Sequence, residues 1–368
     1  MASSLPDWIS AISQLAFLAI FLLMFLGVNQ RLQVYMWRGD IKSKLAFLEW
    51  LAANARDRAK EYLAKNKGRR VDEVVERLSD FFLIQPVDIE PVDIIRRLDH
   101  LFNVRRLRVR GLLSDAMPEA DAVTRSRAEV VLEIASALNF IYKIVRHLLR
   151  YGEKTKNWIL LMQLQLLMPL IIRQAKTLYS AQEHFAQGLP VGDGAGPLVA
   201  YRLAGGSQWR SVEDETVAAE VELEGRRLIV VKAEGPGSSV GRPGAAVEKI
   251  VEDLAKSGVK PAMILTVDAA LKLEGEDTGS IAEGVGAAIG DPGPEKIRFE
   301  RVAAKYGIPL RALVIKMSEE EAITGMSKEI YQAVDKAVER VREIVASETQ
   351  PGDTVIVAGI GNTSGIGQ

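Results

Sequence analysis

The chain changes periodicity once, at Gly188-Leu189-Pro190, and that switch limits the folds open to it. Before it, apolar residues recur at helical spacing. Between Ile41 and Lys65, for instance, Leu45, Leu48, Leu51 and Ala52 are separated by charged side chains, the mark of an amphipathic helix. Gly68 punctuates this pattern, which resumes from Val71 to Leu83 and breaks at Pro86 and Pro91. Further helices are expected over Val92–Phe102, from about Ala120 to Arg150, and over Trp158–Gln187. No stretch of residues 31–188 reads as a strand.

Beyond Pro190, strand-like and helix-like segments alternate, as in an α/β domain. Val217–Leu223 and Arg227–Ala233 flank Glu224-Gly225-Arg226 and read as a hairpin. A helix over Gly244–Lys256 leads to a buried strand, Pro261–Val267. Another helix, Glu295–Tyr306, precedes a strand over Leu310–Lys316. Ser318-Glu319-Glu320-Glu321 has the form of a capping box, expected to open one helix that runs to about Ser347. Thr354–Ala358 reads as the closing strand.

Ahead of both regions lies Ile9–Val28, a stretch whose only polar side chains are Ser10, Ser13 and Gln14. About 20 apolar residues suffice to span a bilayer as a helix, and Trp8 stands where an interfacial anchor would. The first thirty residues contain no Lys or Arg, unlike a cleavable signal peptide. Arg31, Arg38, Lys42 and Lys44 follow the run, which places the N-terminus outside and the remainder in the cytoplasm. The expected organisation is a single-pass transmembrane anchor (1–30), an all-helical, membrane-proximal region (31–188) and an α/β domain (189–368). A second apolar run, Trp158–Ile172, includes Gln163, Gln165 and Pro169. Its length suits a buried or interfacial helix better than a crossing.

Charge divides along the same boundary. Residues 31–188 carry a net +8 (27 basic, 19 acidic), and residues 189–368 a net −8 (20 basic, 28 acidic). The acidic α/β half, and a basic half without an aromatic stacking platform, argue against a nucleic-acid partner. The run Arg105-Arg106-Leu107-Arg108-Val109-Arg110 could hold phosphate or lipid headgroups, or form a solvated helix face. Absence of cysteine removes thiolate nucleophiles and cysteine metal sites, and the three histidines (His100, His147, His184) lack metal-ligand spacing. Carboxylates are therefore the expected agents of any catalysis.

Two stand out. Asp193 lies in Gly192-Asp193-Gly194-Ala195-Gly196-Pro197-Leu198-Val199, and Asp268 ends the apolar run Met263–Val267. A carboxylate at the carboxyl end of a buried strand points into the crevice where open α/β sheets bind ligands. Two such groups can share a proton and activate water. Each also has a structural role open to it: aspartate is a preferred helix N-cap and a common turn residue. A divalent cation bridging the pair is the alternative to a metal-free dyad. The loop Gly235–Gly244 joins a strand to a helix, and Gly237, Gly241 and Arg242 could hold an anion there, although it lacks phosphate-loop spacing. Gly359-Ile360-Gly361-Asn362 follows the last strand with no helix after it, which excludes a dinucleotide fingerprint.

Gly192-Asp193-x-x-Gly196-Pro197-Leu198-Val199, the Gly-rich segment Ala233–Gly244, Ile264–Leu271 and Glu276-Asp277-Thr278-Gly279 occur in the order and spacing of motifs in the germination protease family. The α/β half resembles that family and the hydrogenase-maturation endopeptidases that share its fold. The resemblance implies a doubly wound α/β phosphorylase/hydrolase-like domain and a peptidase in which Asp193 and Asp268 form the catalytic dyad. It also implies supporting roles for Gly192, Gly196, Asp277, Thr278, Gly359, Gly361 and Asn362. In that family a strand ending in Gly-x-Gly-Asn precedes the first aspartate motif; here Val355–Asn362 stands at the far end of the chain, which suggests a circular permutation. The whole chain, anchor included, resembles an uncharacterised archaeal membrane-protein family. The expected function is thus a membrane-anchored aspartate peptidase or hydrolase acting on a peptide or protein, lipid-bound through residues 9–28. Its long amphipathic helices favour a homo-oligomer, and a non-catalytic, membrane-bound scaffold that keeps the fold is the rival expectation.

Overall fold

The computed structural model describes residues 28–79, 81, 93–290 and 293–368. All of the apolar run 9–28 except Val28 lies outside the described residues, as do Pro86 and Pro91. The N-terminal half is helical: α1 (Val28–Lys65), α2 (Val71–Ser79), α3 (Ile94–Ala116), α4 (Ala122–Thr155) and α5 (Trp158–Gln187). A mixed α/β domain follows. A one-turn 3₁₀ helix (Gly192–Gly194) enters α6 (Ala195–Ala204), then β1 (Arg210–Glu213), β2 (Thr216–Leu223) and β3 (Arg226–Ala233). Next come α7 (Pro243–Lys256), β4 (Met263–Leu271), β5 (Ile281–Val285), α8 (Pro294–Tyr306) and β6 (Leu310–Met317). The chain continues through α9 (Glu319–Ile323) and α10 (Lys328–Glu348) to β7 (Thr354–Gly359).

Two compact units emerge. The first joins the described residues up to Ala53 with Leu138–Ala175; the second joins Asn54–Ala137 with Lys176–Gln368. This division cuts through α1, α4 and α5, because part of the helical half packs with the α/β domain.

In the first unit, Ile41 and Leu48 of α1, Val145 and Leu149 of α4, and Leu161 and Met168 of α5 are buried. Their four- and seven-residue spacings put one stripe of each helix inside. Glu153 on α4 holds Arg38 (2.7 Å) and Lys42 (3.0 Å) of α1, and Gln165 donates to Asp40 at 2.5 Å. Helix α5 is long and apolar enough to cross a membrane by length and composition, and only 22% of its most apolar window is buried. Trp158–Ile172 is buried along one stripe only: Leu161, Leu164 and Met168 are inside, whereas Leu166 is 72% exposed.

In the second unit the strand order is β1-β2-β3-β7-β4-β6-β5. The central strands β3, β7, β4 and β6 are parallel, while β1, β2 and β5 add antiparallel edges. Side chains alternate along each strand. Leu228, Val230, Leu265 and Val357 pack with α6 and α10, whereas Ile229, Val231, Ile264 and Ile356 pack with α7 and α8. Helices thus cover both faces, and the central strands read as continuous apolar runs.

Two short strands, β1 and β5, carry too little apolar alternation to stand out in sequence. The helix expected over residues 318–347 is two helices. Ser318 and Glu321 do form the capping box, but the first helix stops after one turn. Thr324-Gly325-Met326 runs extended against Pro190–Gly192, with Gly192 N–H donating to Thr324 O (3.2 Å) and Met326 N–H to Pro190 O (2.8 Å). Ser327 then caps α10, its hydroxyl accepting from Ile330 N–H at 3.3 Å.

Three arginines of the run on α3 are engaged in ion pairs, while Leu107 and Arg108 face solvent. Arg105 pairs with Glu133 (2.8 Å), Arg106 with Asp214 (2.7 Å), and Arg110 with Glu215. These pairs fasten α3 to α4 and to the β1–β2 turn.

Candidate functional site

Pairing of β4 with β7 ends at Val267–Gly359, whereas pairing with β6 continues to Leu271. Asp268 is therefore the first residue of β4 beyond the carboxyl end of its neighbour. It is not a strand-end turn residue; it lies inside the strand, beside a step in the sheet edge. It is 4% exposed, and its Oδ1 accepts from Ala269 N–H at 2.7 Å.

Asp193 occupies the 3₁₀ turn ahead of α6, and the N-cap of α6 is Gly194, with no side-chain cap hydrogen bond. Capping is therefore not its role. Instead its Oδ2 accepts from the backbone N–H of Asn362 at 2.8 Å. Asn362 supports Asp193 through its main chain, while its side-chain Oδ1 accepts from Ser364 N–H at 2.8 Å.

Glycines make this convergence sterically possible. A Cβ at Gly196 would collide with the carbonyl oxygens of Ile360 and Val267, and one at Gly359 with that of Gly196. Gly361, at φ +131°, lies against the Asp193 carbonyl. Helix α6 thus sits backbone-to-backbone on the ends of β7 and β4, carrying Asp193 to the sheet edge where Asp268 emerges.

Electrostatics report the same proximity. Burial raises the Asp268 carboxyl well above the ordinary aspartate range, and the Asp193 charge raises it further, against N–H donors from Ala269 and Gly290. Burial also raises Asp193, opposed by the Asn362 N–H. Asp193 keeps partial exposure as a residue, whereas Asp268 is buried. An apolar cavity of about 640 Å³ opens beside this turn, lined by Leu189, Leu198, Tyr201, Met326, Tyr331 and Ile366. Ile366 and Met326 reach the open side of Gly194.

The remaining expected residues fall elsewhere. Thr278 donates to Glu321 at 2.8 Å and accepts from Lys272 Nζ at 2.8 Å, which ties the β4–β5 connection to α9. Among the described residues no hydrogen bond links Asp277 to either aspartate; its carbonyl accepts from Ser280 N–H at 3.2 Å. Arg242 is held by Asp99 (2.9 Å), Glu295 (3.6 Å) and Glu213 (3.7 Å). Glu295 also accepts from Ala245 N–H (3.0 Å) at the start of α7. The expected anion site over Gly237, Gly241 and Arg242 is therefore filled by the protein's own carboxylates. Gly237 lies against Ser126 of α4, and Gly241 takes a left-handed φ of +61°.

One residue escaped the sequence reading. Lys232 on β3 is fully buried, donates to Ala233 O at 3.1 Å, and lies 5.0 Å from the Trp209 ring centroid. Burial pulls its ammonium down to about 8. It stands in register with Gly359, and its signal was a lone cation inside the apolar run Leu228–Ala233. Among the described residues no group of three or more His, Asp or Glu side chains is placed to hold a metal. A cation between the two aspartates would draw further ligands from water or substrate.

Fold and site together define a protein with a helical N-terminal half and a mixed α/β domain that carries Asp193 and Asp268 at the carboxyl end of its parallel strands. Residues 15–188 match the N-terminal domain of DUF1512, described as a protein of unknown function. Residues 191–367 match the DUF1512 C-terminal domain, described as a domain of unknown function. The chain belongs to the DUF1512 family. No curated protein matches it.

Proposed function

We propose that the α/β domain is a hydrolase, a peptidase in which Asp193 and Asp268 share one proton. The observation that carries this reading is the electrostatic coupling of two desolvated carboxyl groups at the carboxyl edge of a parallel sheet. Like charges in such a place cannot both ionise easily, which favours one proton shared by the pair. Asp268, whose carboxyl is raised well above the ordinary range, is proposed as the protonated member and Asp193 as the ionised one. The Asp193 carboxylate takes a proton from water as the oxygen attacks the peptide carbonyl. Asp268 donates its hydrogen bond to the developing oxyanion. The adjoining apolar cavity has room for an apolar side chain of the substrate.

The germination-protease-like, phosphorylase/hydrolase-like fold belongs to this proposal, as does the permutation. β7 lies at the centre of the sheet beside β3 and β4, and Ser364 donates to Leu189 O at 2.9 Å. The strand that precedes the first aspartate in that family would here reach the same place from the C-terminal side. The proposal extends to an anchor at residues 9–28 with the N-terminus outside and the α/β domain in the cytoplasm, supported by the basic residues that follow it.

The test is cleavage of a fluorogenic peptide mixture by the purified full chain. Asp193→Asn and Asp268→Asn are each expected to lower turnover at least ~100-fold while helicity and melting cooperativity persist. Unchanged turnover in Asp268→Asn overturns the dyad. Loss of wild-type turnover with chelator, restored by a divalent cation, replaces it with the carboxylate metal site. Cleavage absent from the wild type, alongside detergent-phase assembly unaffected by either substitution, moves the reading to an oligomeric scaffold.

A further inference from the structure

We infer that the α4–α5 face of the first unit is a docking surface for an anionic bilayer, distinct from the proposed anchor at residues 9–28. A cavity of about 370 Å³ on this face is lined by Lys143, Arg146, His147, Arg150, Tyr151 and Lys154. No acidic side chain lines it, and Glu153, the nearest carboxylate in sequence, is engaged by Arg38 and Lys42. The His147 and Tyr151 rings stack at 6.1 Å, and Arg146 lies 5.0 Å from the Tyr142 ring centroid. The result is a rigid basic hollow of a size that accepts a phosphate headgroup.

Exposed apolar side chains share the face of α4 that bears the hollow, and a second exposed stripe runs along α5. On α4, Phe140, Ile144 and Tyr151 are 63%, 41% and 51% exposed. They share one face with His147 by three- and four-residue spacing. On α5, Ile159, Leu166 and Leu170 recur at seven and four residues and are 47%, 72% and 50% exposed. Exposed aliphatic and aromatic stripes beside a cationic cluster are what a helix lying in the headgroup boundary presents. The charge selects the occupant. A second copy meeting this face isologously would set cation against cation, whereas anionic headgroups complement the cluster and admit the apolar stripes to the acyl boundary.

The chain has no cysteine, so one introduced thiol takes one label. Leu166→Cys, carrying an environment-sensitive fluorophore, is examined in the full chain reconstituted into phosphatidylcholine vesicles with increasing phosphatidylglycerol. The exposed α/β position Asp253→Cys serves as control. The expected result is a blue shift and quenching by bilayer nitroxides at Leu166→Cys that grow with phosphatidylglycerol, with no change at the control. Each basic side chain near an anionic surface contributes about five-fold. Adding Arg150→Gln and Lys154→Gln, both exposed and outside any core, is therefore expected to weaken this engagement about twenty-five-fold. Three results would overturn the inference: equal quenching in pure phosphatidylcholine, insensitivity to the double substitution, or absence of quenching in the labelled chain together with disulfide-linked dimers of the unlabelled Leu166→Cys chain. The last would assign the face to a second copy of the chain. None of these readouts depends on hydrolysis.

Discussion

Asp268 and Gly196 show how closely chemistry and packing are joined at the sheet edge. The folded state raises the Asp268 carboxyl above its ordinary value, so above pH ~4 it holds a proton that the unfolded chain has released. Its contribution to stability is present below the ordinary aspartate range and declines as pH rises through the folded value. Asp268→Asn, neutral at every pH, is expected to melt higher than the wild type at pH 7.5, by roughly 2–4 °C for each kcal/mol relieved. That advantage should vanish near pH 3.5, as thermal scans at the two pH values would show. A variant that melts lower at pH 7.5 would mean that the aspartate is not destabilised there. Gly196→Ala acts oppositely, because the added methyl meets two backbone carbonyls that cannot rotate away. It is expected to cost at least ~1–3 kcal/mol, measured by denaturant midpoint, and to displace Asp193 with α6.

Helix α4 carries a charge whose state depends on what it packs against. Glu129 lies 3.7 Å from Arg110, yet burial, then the charge of Glu133, outweighs that arginine and pushes the carboxyl up to about 7. Arg110 itself pairs with Glu215, and Ser239 of the Gly-rich loop donates to the same carboxylate at 2.7 Å. Between about pH 4.5 and 7 the folded chain keeps a proton on Glu129 that the unfolded chain loses, so stability declines across that window and levels off above it. Glu129→Gln is expected to match the wild type at pH 4.5 and to exceed it by roughly 1–3 kcal/mol at pH 8. Urea titrations at both pH values measure the difference, and parallel pH profiles for the two proteins would dismiss it. The pairs of Asp99 with Arg242 and Arg298, both 2.9 Å, fasten α3 to α7 and α8 in the same way.

The α/β domain is organised by its last strand. β7 contributes Val355, Val357, Ile356 and Ala358 to the two apolar layers and delivers Asn362 to Asp193. The ends of the α/β segment meet, since Ser364 bonds to Leu189 O. A rearranged full chain with residues 350–368 inserted between Gly188 and Leu189, with a glycine linker of about eight or more residues from Gly188 to Gln350 to span the length of β7, is therefore expected to fold. It should melt within a few degrees of the parent. Failure to fold, while an unpermuted control carrying the same linker folds, would argue that β7 must be added last.

Much of this architecture was legible locally. The switch at Gly188–Pro190, the buried strands β4, β6 and β7, and the capping box at Ser318 follow from periodicity and side-chain chemistry over a few residues. The two aspartates could be singled out because each stands beside a recognisable element. Their meeting could not be read from sequence spacing, since Asp193, Asp268 and Asn362 lie far apart along the chain and approach through glycine-permitted backbone contacts. For the same reason Arg242 looked like an anion ligand until Asp99 and Glu295 were found around it, and α10 looked continuous with α9 until Pro190–Gly192 claimed the intervening backbone. Local propensity specifies which segments are helix or strand. Which charges lose water, and which partners they acquire, depends on long-range packing that no short window of residues contains.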